Sequence, residues 1–237
     1  MRAVFVGDAH LKGRNDPNQK RLCSFLNTLE GIDRLFILGD LFEFWVGYNS
    51  VIYHHYAPVV NGLINLRRSG VSLLYTEGNH DFFLKRFFSG RVGVDIYPNT
   101  ADIQFDGKRV LLAHGDLADR RGSYMFMRRF LRSPLFRLIH RLAPPAFSWE
   151  VAMSLSKKSR NAMERGGLIE KFMKEYARKK IGEGFDLTVM GHTHIAAISH
   201  ETVNGREGTY ANPGDWIEDH TYLVYEDGQL RIEQFGS

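Results

Sequence analysis

A chain of 237 residues, 43% hydrophobic and 24% charged, is large enough for one full-sized core and too apolar for a disordered segment. Its single cysteine, Cys23, excludes an intramolecular disulfide, and no apolar run approaches membrane-spanning length. The net charge of +4 is unevenly spread: Arg120 to Lys180 holds 16 Lys and Arg against 4 Glu, a local +12 that leaves −8 for the remainder. A basic segment on an acidic body points to an anionic partner, whether nucleic acid, a phosphorylated substrate or an anionic membrane face. A strand is expected from the first residues with no signal peptide ahead of it, so the expected location is the cytoplasm.

In chain order, Arg2 to Gly7 reads as a buried strand ending in Asp8-Ala9-His10. Residues 18–30 read as a helix with Leu22, Phe25, Leu26 and Leu29 on one face, where Cys23 is a packed thiol. Arg34 to Leu38 is a second strand, followed by Gly39-Asp40 and an aromatic segment, Phe42 to Val46, that serves as core or pocket wall. Residues 51–69 read as a helix closed by Gly70. Val71 to Thr76 is a third strand leading into Gly78-Asn79-His80-Asp81. This alternation predicts an α/β layer fold. Ala101–Phe105 and Lys108–Ala113 then read as a hairpin about Asp106-Gly107 that delivers His114. Residues 120–181 lack strand signals and read as a helical insertion. Asp186 to Met190 restores strand character before Gly191-His192-Thr193-His194, and two hairpins follow at Asn204-Gly205 and Asp227-Gly228.

Five polar clusters thus stand at predicted strand ends, where α/β sheets build sites. Singly, each has a plain structural reading: Gly and Asn supply positive φ, Asp forms turns, and a lone His hydrogen-bonds in a core. Together, Asp8, His10, Asp40, Asn79, His114, His192 and His194 make a set of oxygen and imidazole ligands suited to a pair of divalent cations. Asp40, alone at its strand end, is the natural bridge. Asn79 adds a neutral oxygen that limits the negative charge.

The order D-x-H, G-D, G-N-H-D, a lone H and G-H-x-H resembles the calcineurin-like metallophosphoesterases over most of the chain outside the insertion. The resemblance implies an α+β, four-layer αββα sandwich with a helical lid insertion at about 120–181. It implies two Mn²⁺-like ions, one held by Asp8, His10, Asp40 and His194 and the other by Asp40, Asn79, His114 and His192. It implies hydrolysis of a phosphoester by a metal-bridging hydroxide. In that scheme His80 donates a hydrogen bond to phosphate or a proton to the leaving oxygen. Its alternative role is structural, behind the ligands, and Asp81 either orients a neighbouring His or stabilises the turn.

Leu38 to Trp45 and Ala113 to Asp116 further resemble the UDP-2,3-diacylglucosamine hydrolases of lipid A biosynthesis, as do Ser156 to Arg160 and Asn212 to Trp216. That resemblance implies release of UMP and 2,3-diacylglucosamine 1-phosphate. The expected substrate contacts are Asn79, His80, Arg121, Ser156, Lys157, Arg160 and His192. The chain departs from the best-studied branch at His80, where that branch has Arg, and near Arg121, Arg160 and Met163. Within the insertion, Tyr124 to Leu142 interleaves aromatic and aliphatic residues with Arg and contains no acid. Such a helix lies on an anionic membrane surface or covers acyl chains, or else packs its apolar face on the body with its arginines in water. Two other functions stay open at this point: the same centre acting on nucleic acid or a nucleotide, and a binding scaffold without catalysis.

Overall fold

The computed structural model describes residues 1–47, 53–142 and 166–236. Ser156, Lys157, Lys158, Ser159, Arg160 and Met163, singled out above, lie outside the described residues.

Two sheets stack face to face. The first has six strands in the order β13 (Gln229–Gln234), β12 (Thr221–Glu226), β1 (Arg2–Val6), β2 (Arg34–Ile37), β4 (Ser72–Thr76) and β6 (Asp95–Tyr97). Its β1, β2, β4 and β6 are parallel, and β12 and β13 close one edge antiparallel. The second has five, in the order β10 (Ala197–Val203), β11 (Arg206–Asn212), β9 (Leu187–Met190), β8 (Lys108–Ala113) and β7 (Thr100–Phe105). A two-stranded parallel pair, β3 (Trp45–Val46) with β5 (Asp81–Phe82), joins the loops after β2 and β4.

Period-two alternation builds the layers. Ala3 and Phe5 of β1 and Phe36 of β2 face the second sheet, meeting Phe105, Val110, Leu112 and Val189. Val4, Val6, Leu35 and Ile37 face the other way, onto α1 (Pro17–Thr28) and α2 (Tyr53–Arg68) through Leu22, Phe25, Val59 and Leu63. Asp16 caps α1, its Oδ1 accepting the Asn18 amide at 3.0 Å, and Pro17 opens the first turn. The outer face of the second sheet is covered by α6 (Gly166–Gly182), whose Ile169, Met173 and Ala177 recur every four residues against Ala113, Met190 and Tyr210. The result is the expected αββα sandwich. A short α3 (Lys85–Phe87) follows β5. Two further helices, α4 (Gly122–Leu131) and α5 (Pro134–Leu142), follow β8.

All three expected hairpin turns have positive φ at both central residues: 50° and 72° at Asp106-Gly107, 53° and 77° at Asn204-Gly205, and 52° and 80° at Asp227-Gly228. These are the primed turns whose twist matches that of the flanking strands.

Candidate active site

The carboxyl ends of β1, β2, β4, β8 and β9 lie on one edge of the sandwich, and all seven predicted ligands converge there. Asp8, His10, Asp40, His192 and His194 have φ of 49°, 44°, 50°, 72° and 60°. Positive φ is uncommon outside glycine, and Asp and His tolerate it better than most residues. At Asp8 and His10 the backbone thus leaves the extended path of β1, and both side chains reach the centre. Gly78 and Gly191 are required by crowding: a Cβ on Gly78 would overlap Asp40 Oδ1, and one on Gly191 would overlap Asp8 Oδ2.

The ligand atoms form two overlapping groups. His194 Nε2 lies 3.4 Å from Asp8 Oδ1, and His10 Nε2 lies 3.7 Å from Asp40 Oδ2. His114 Nε2 is 3.4 Å from Asp40 Oδ2, 3.0 Å from Asn79 Oδ1 and 3.0 Å from His192 Nδ1. Potential donors lie within 4.8 Å of one another in three sets, Asp8 with His10 and His194, Asp8 with Asp40 and His114, and His10 with Asp40 and His80. Asp8 Oδ1, both ring nitrogens of His10 and His192 Nε2 are buried without a hydrogen-bond partner. Buried orphaned acceptors are costly, and their convergence is what a cation would satisfy. The residues fit a metal centre.

Electrostatics agree. Burial pushes the Asp40 carboxyl up, but His114, His80 and His10 outweigh it and hold it well below the usual range. Burial followed by the neighbouring His114 lowers His192 to about 4. Burial and then the charge of His80 lower His10. His10 and His192 are thus neutral, ready ligands, whereas at His114 and His194 the neighbouring carboxylates Asp40 and Asp8 outweigh burial and favour a proton that a cation would displace.

Supporting residues lie behind these atoms. Asp81 does not orient a histidine. Its Oδ1 accepts the amides of Asp40 and Gly78, both at 3.0 Å, and its Oδ2 accepts the Phe42 amide at 3.2 Å and the Tyr75 hydroxyl. It therefore clamps the Gly39-Asp40 turn to the Gly78-Asn79 turn. Burial, then Asp40, raises its pKa to about 7. Glu43, fully buried, places Oε2 3.6 Å from His10 Nδ1, an interaction the sequence reading missed; the carboxylate four residues after the Gly39 turn was its only signal. Trp45 is core, packed on Phe42, Tyr56 and Phe87.

His80 sits beside the centre. Its Nδ1 donates to the Glu43 carbonyl at 3.1 Å, and its Nε2 is 4.0 Å from Asp40 Oδ2. Arg121 is engaged by Asp119, its Nε donating to both carboxylate oxygens at 3.0 and 2.9 Å.

The helix α4 is turned opposite to an ordinary surface helix. Arg128 and, just past its end, Arg132 point inward to Asp116 and Glu77, and Arg137 of α5 lies over the Phe83 ring. Phe126, Met127, Phe130, Leu135, Leu138 and Ile139 face outward; Phe126 is 74% exposed. No helix among the described residues is long and apolar enough to cross a membrane.

The profile of the calcineurin-like phosphoesterases matches residues 1–196. The chain belongs to that family. Among curated relatives of this phosphoesterase, the UDP-2,3-diacylglucosamine hydrolase of Aeromonas salmonicida is 33% identical, with 99% of this chain and 93% of that protein covered. The protein of the same name from Pseudomonas aeruginosa PAO1 is 30% identical, with 91% of each chain covered. A solved archaeal phosphodiesterase shares the fold at 15% identity and a TM-score of 0.51, with 99% of both chains covered. Family membership implies divalent metals, and the residues above are those able to hold them.

Proposed function

We propose that this phosphoesterase hydrolyses UDP-2,3-diacylglucosamine to UMP and 2,3-diacylglucosamine 1-phosphate, a step of lipid A biosynthesis. The observation that carries the reading is the match to relatives of that name over nearly the whole of both chains. All seven ligands are retained, which disfavours a non-catalytic scaffold.

Asp8, His10, Asp40 and His194 would hold one ion, and Asp40, Asn79, His114 and His192 the other. Mn²⁺ is the ion that the resemblance to the family implies, and the mixture of carboxylates, one amide and imidazoles accepts a divalent cation of that kind. Such ions supply Lewis acidity, making water a nucleophile at neutral pH and offsetting charge on the phosphoryl oxygens. The chain's own part is to position and to move a proton. His80, held through Nδ1 by the Glu43 carbonyl, turns Nε2 toward the centre and donates a hydrogen bond to the phosphoryl group there. Water adds to one phosphorus, the bridging P–O bond breaks, and the two phosphomonoesters take up the water's oxygen and protons. Asn79 and His192 line the same space. Arg121 borders it, with its guanidinium 5.9 Å from the Tyr124 ring centre.

The outward apolar face of α4 and α5 supports an acylated substrate presented at a membrane. We take these helices as the lid and the contact with the anionic cytoplasmic face of the inner membrane. A nucleic-acid track would turn its arginines outward; Arg128 and Arg132 are turned in.

The test is purified protein with Mn²⁺, given UDP-2,3-diacylglucosamine in detergent micelles and, separately, an aryl phosphodiester. UMP release that Asp40→Ala abolishes is the expected result. Activity on the aryl ester alone would retain the metal chemistry and sink the substrate.

A further inference from the structure

The inward face of α4 meets the metal centre's own loops. Arg132 Nη1 donates to Glu77 Oε2 at 2.9 Å and to the Pro98 carbonyl at 2.8 Å, while Nη2 donates to the Gly78 carbonyl at 2.8 Å. Gly78 immediately precedes the ligand Asn79. One helical turn earlier, Arg128 Nε donates to Asp116 Oδ2 at 2.6 Å and Nη2 to Asn99 Oδ1 at 2.8 Å. Asp116 stands two residues beyond the ligand His114. Glu77 uses its other oxygen on the Leu84 amide at 2.8 Å, which holds the chain beyond the turn.

We infer that Arg128 and Arg132 are positioning residues that lock the Gly78-Asn79 turn, the Pro98-Asn99 turn and the His114–Asp116 segment into one set, and so fix the spacing of the metal ligands. The pairs are shielded: the Arg132 and Glu77 side chains are 14% and 2% exposed, and those of Arg128 and Asp116 10% and 3%. Desolvation largely offsets the attraction in such pairs, so their contribution lies in geometry more than in stability. A planar guanidinium holds several acceptors at fixed angles, which a lysine ammonium does not. The Gly78 backbone is already pressed against Asp40, with no room for a Cβ between them. A shift of its carbonyl therefore moves Asn79 relative to Asp40. The inference rests on the metal-binding reading and is independent of the lipid substrate.

The experiment compares full-length wild type, Arg132→Lys, Arg132→Met and the double variant Arg132→Met/Glu77→Gln. Four quantities are measured: Tm without metal, Mn²⁺ affinity by calorimetry, and kcat and KM on bis(p-nitrophenyl) phosphate, which is too small to need α4's apolar face. Arg132→Met leaves Glu77 buried and unpaired, so its Tm falls. The double variant removes that charge and regains Tm, and Arg132→Lys retains it. The expected result is that both of these stable variants still lose Mn²⁺ affinity and kcat by about tenfold or more, the scale of lost support behind a metal ligand. Affinity and kcat that recover with Tm, or never change, would overturn the inference and leave Arg132 a stability residue. Wild type that binds no Mn²⁺ would overturn the metal reading and this inference with it.

Discussion

His114 and Asp40 face each other across the centre, His114 Nε2 lying 3.4 Å from Asp40 Oδ2. The other ring nitrogen, Nδ1, donates to the Leu38 carbonyl at 2.9 Å. A proton on Nε2 is thus shared among Asp40, Asn79 and His192, in the space a cation would take. Burial alone would lower the His114 pKa, but the charge and hydrogen bond of Asp40 outweigh it, followed by Asp8 and Asp116, and raise it to about 10.

Metal uptake must therefore displace a proton. Mn²⁺ affinity should rise with pH up to about 10, with proton release on binding at mildly alkaline pH. Calorimetry in buffers of different ionisation enthalpy checks this, and heats independent of buffer would sink it. In the metal-free protein the same raised pKa contributes stability that is full below 6.5 and lost as pH rises through about 10. His114→Asn should flatten that part of the Tm–pH curve.

Asp81→Ala should destabilise severely, since it strips the acceptor from the buried Asp40 and Phe42 amides and the Tyr75 hydroxyl, while the Gly78 amide keeps the Asp81 carbonyl at 3.2 Å. Each buried donor left unsatisfied costs roughly 1–3 kcal/mol. Tyr75→Phe removes only one donor and should cost about 1 kcal/mol. Denaturant unfolding of both variants gives the comparison, and near-equal losses would contradict a clamp at Asp81.

Glu43→Ala should loosen the hold on His10, because the buried carboxylate lies 3.6 Å from Nδ1 and favours that side of the ring by charge. Mn²⁺ affinity should fall about 10- to 100-fold at the proposed site that includes His10. Titration followed by the signal of free Mn²⁺ resolves the two equivalents, and unchanged binding would exclude this role.

Phe126→Glu combined with Leu138→Glu should leave the fold intact, both side chains being more than half exposed. Cosedimentation with anionic vesicles should weaken and KM for the acylated substrate should rise, while kcat on an aryl phosphodiester stays unchanged. Undiminished vesicle binding would remove α4 and α5 from the membrane contact.

Much of the site was legible because its chemistry is local. Asp, Asn and His at strand ends are read from apolar runs followed by polar turns, and the structure brings the seven candidate ligands together at one edge of the sandwich. The Asp-Gly and Asn-Gly hairpins were legible for the same reason: few other residues accept positive φ at both positions. Glu43, the two arginines and the reach of Asp81 to the Asp40 amide were not, because each acts on a partner distant in sequence. Arg132 and Gly78 are 54 residues apart, and Asp81 and Asp40 are 41.

The sequence by itself determined which residue types could bind metal, where strands end and that residues 124–142 are amphipathic, basic and helical. Only the tertiary structure decided which side of those helices faces in. An amphipathic helix has two faces, and its periodicity is the same whichever one docks. On α4 the choice falls to Glu77 and Asp116, carboxylates buried beneath it that need cationic partners more than the exposed apolar residues need cover. Likewise α6 has an apolar repeat that fits any apolar surface, and Met190, Tyr210 and Ala113 of the second sheet supply it. Charge compensation and surface complementarity are properties of what a helix meets, and a single chain of letters does not contain the meeting.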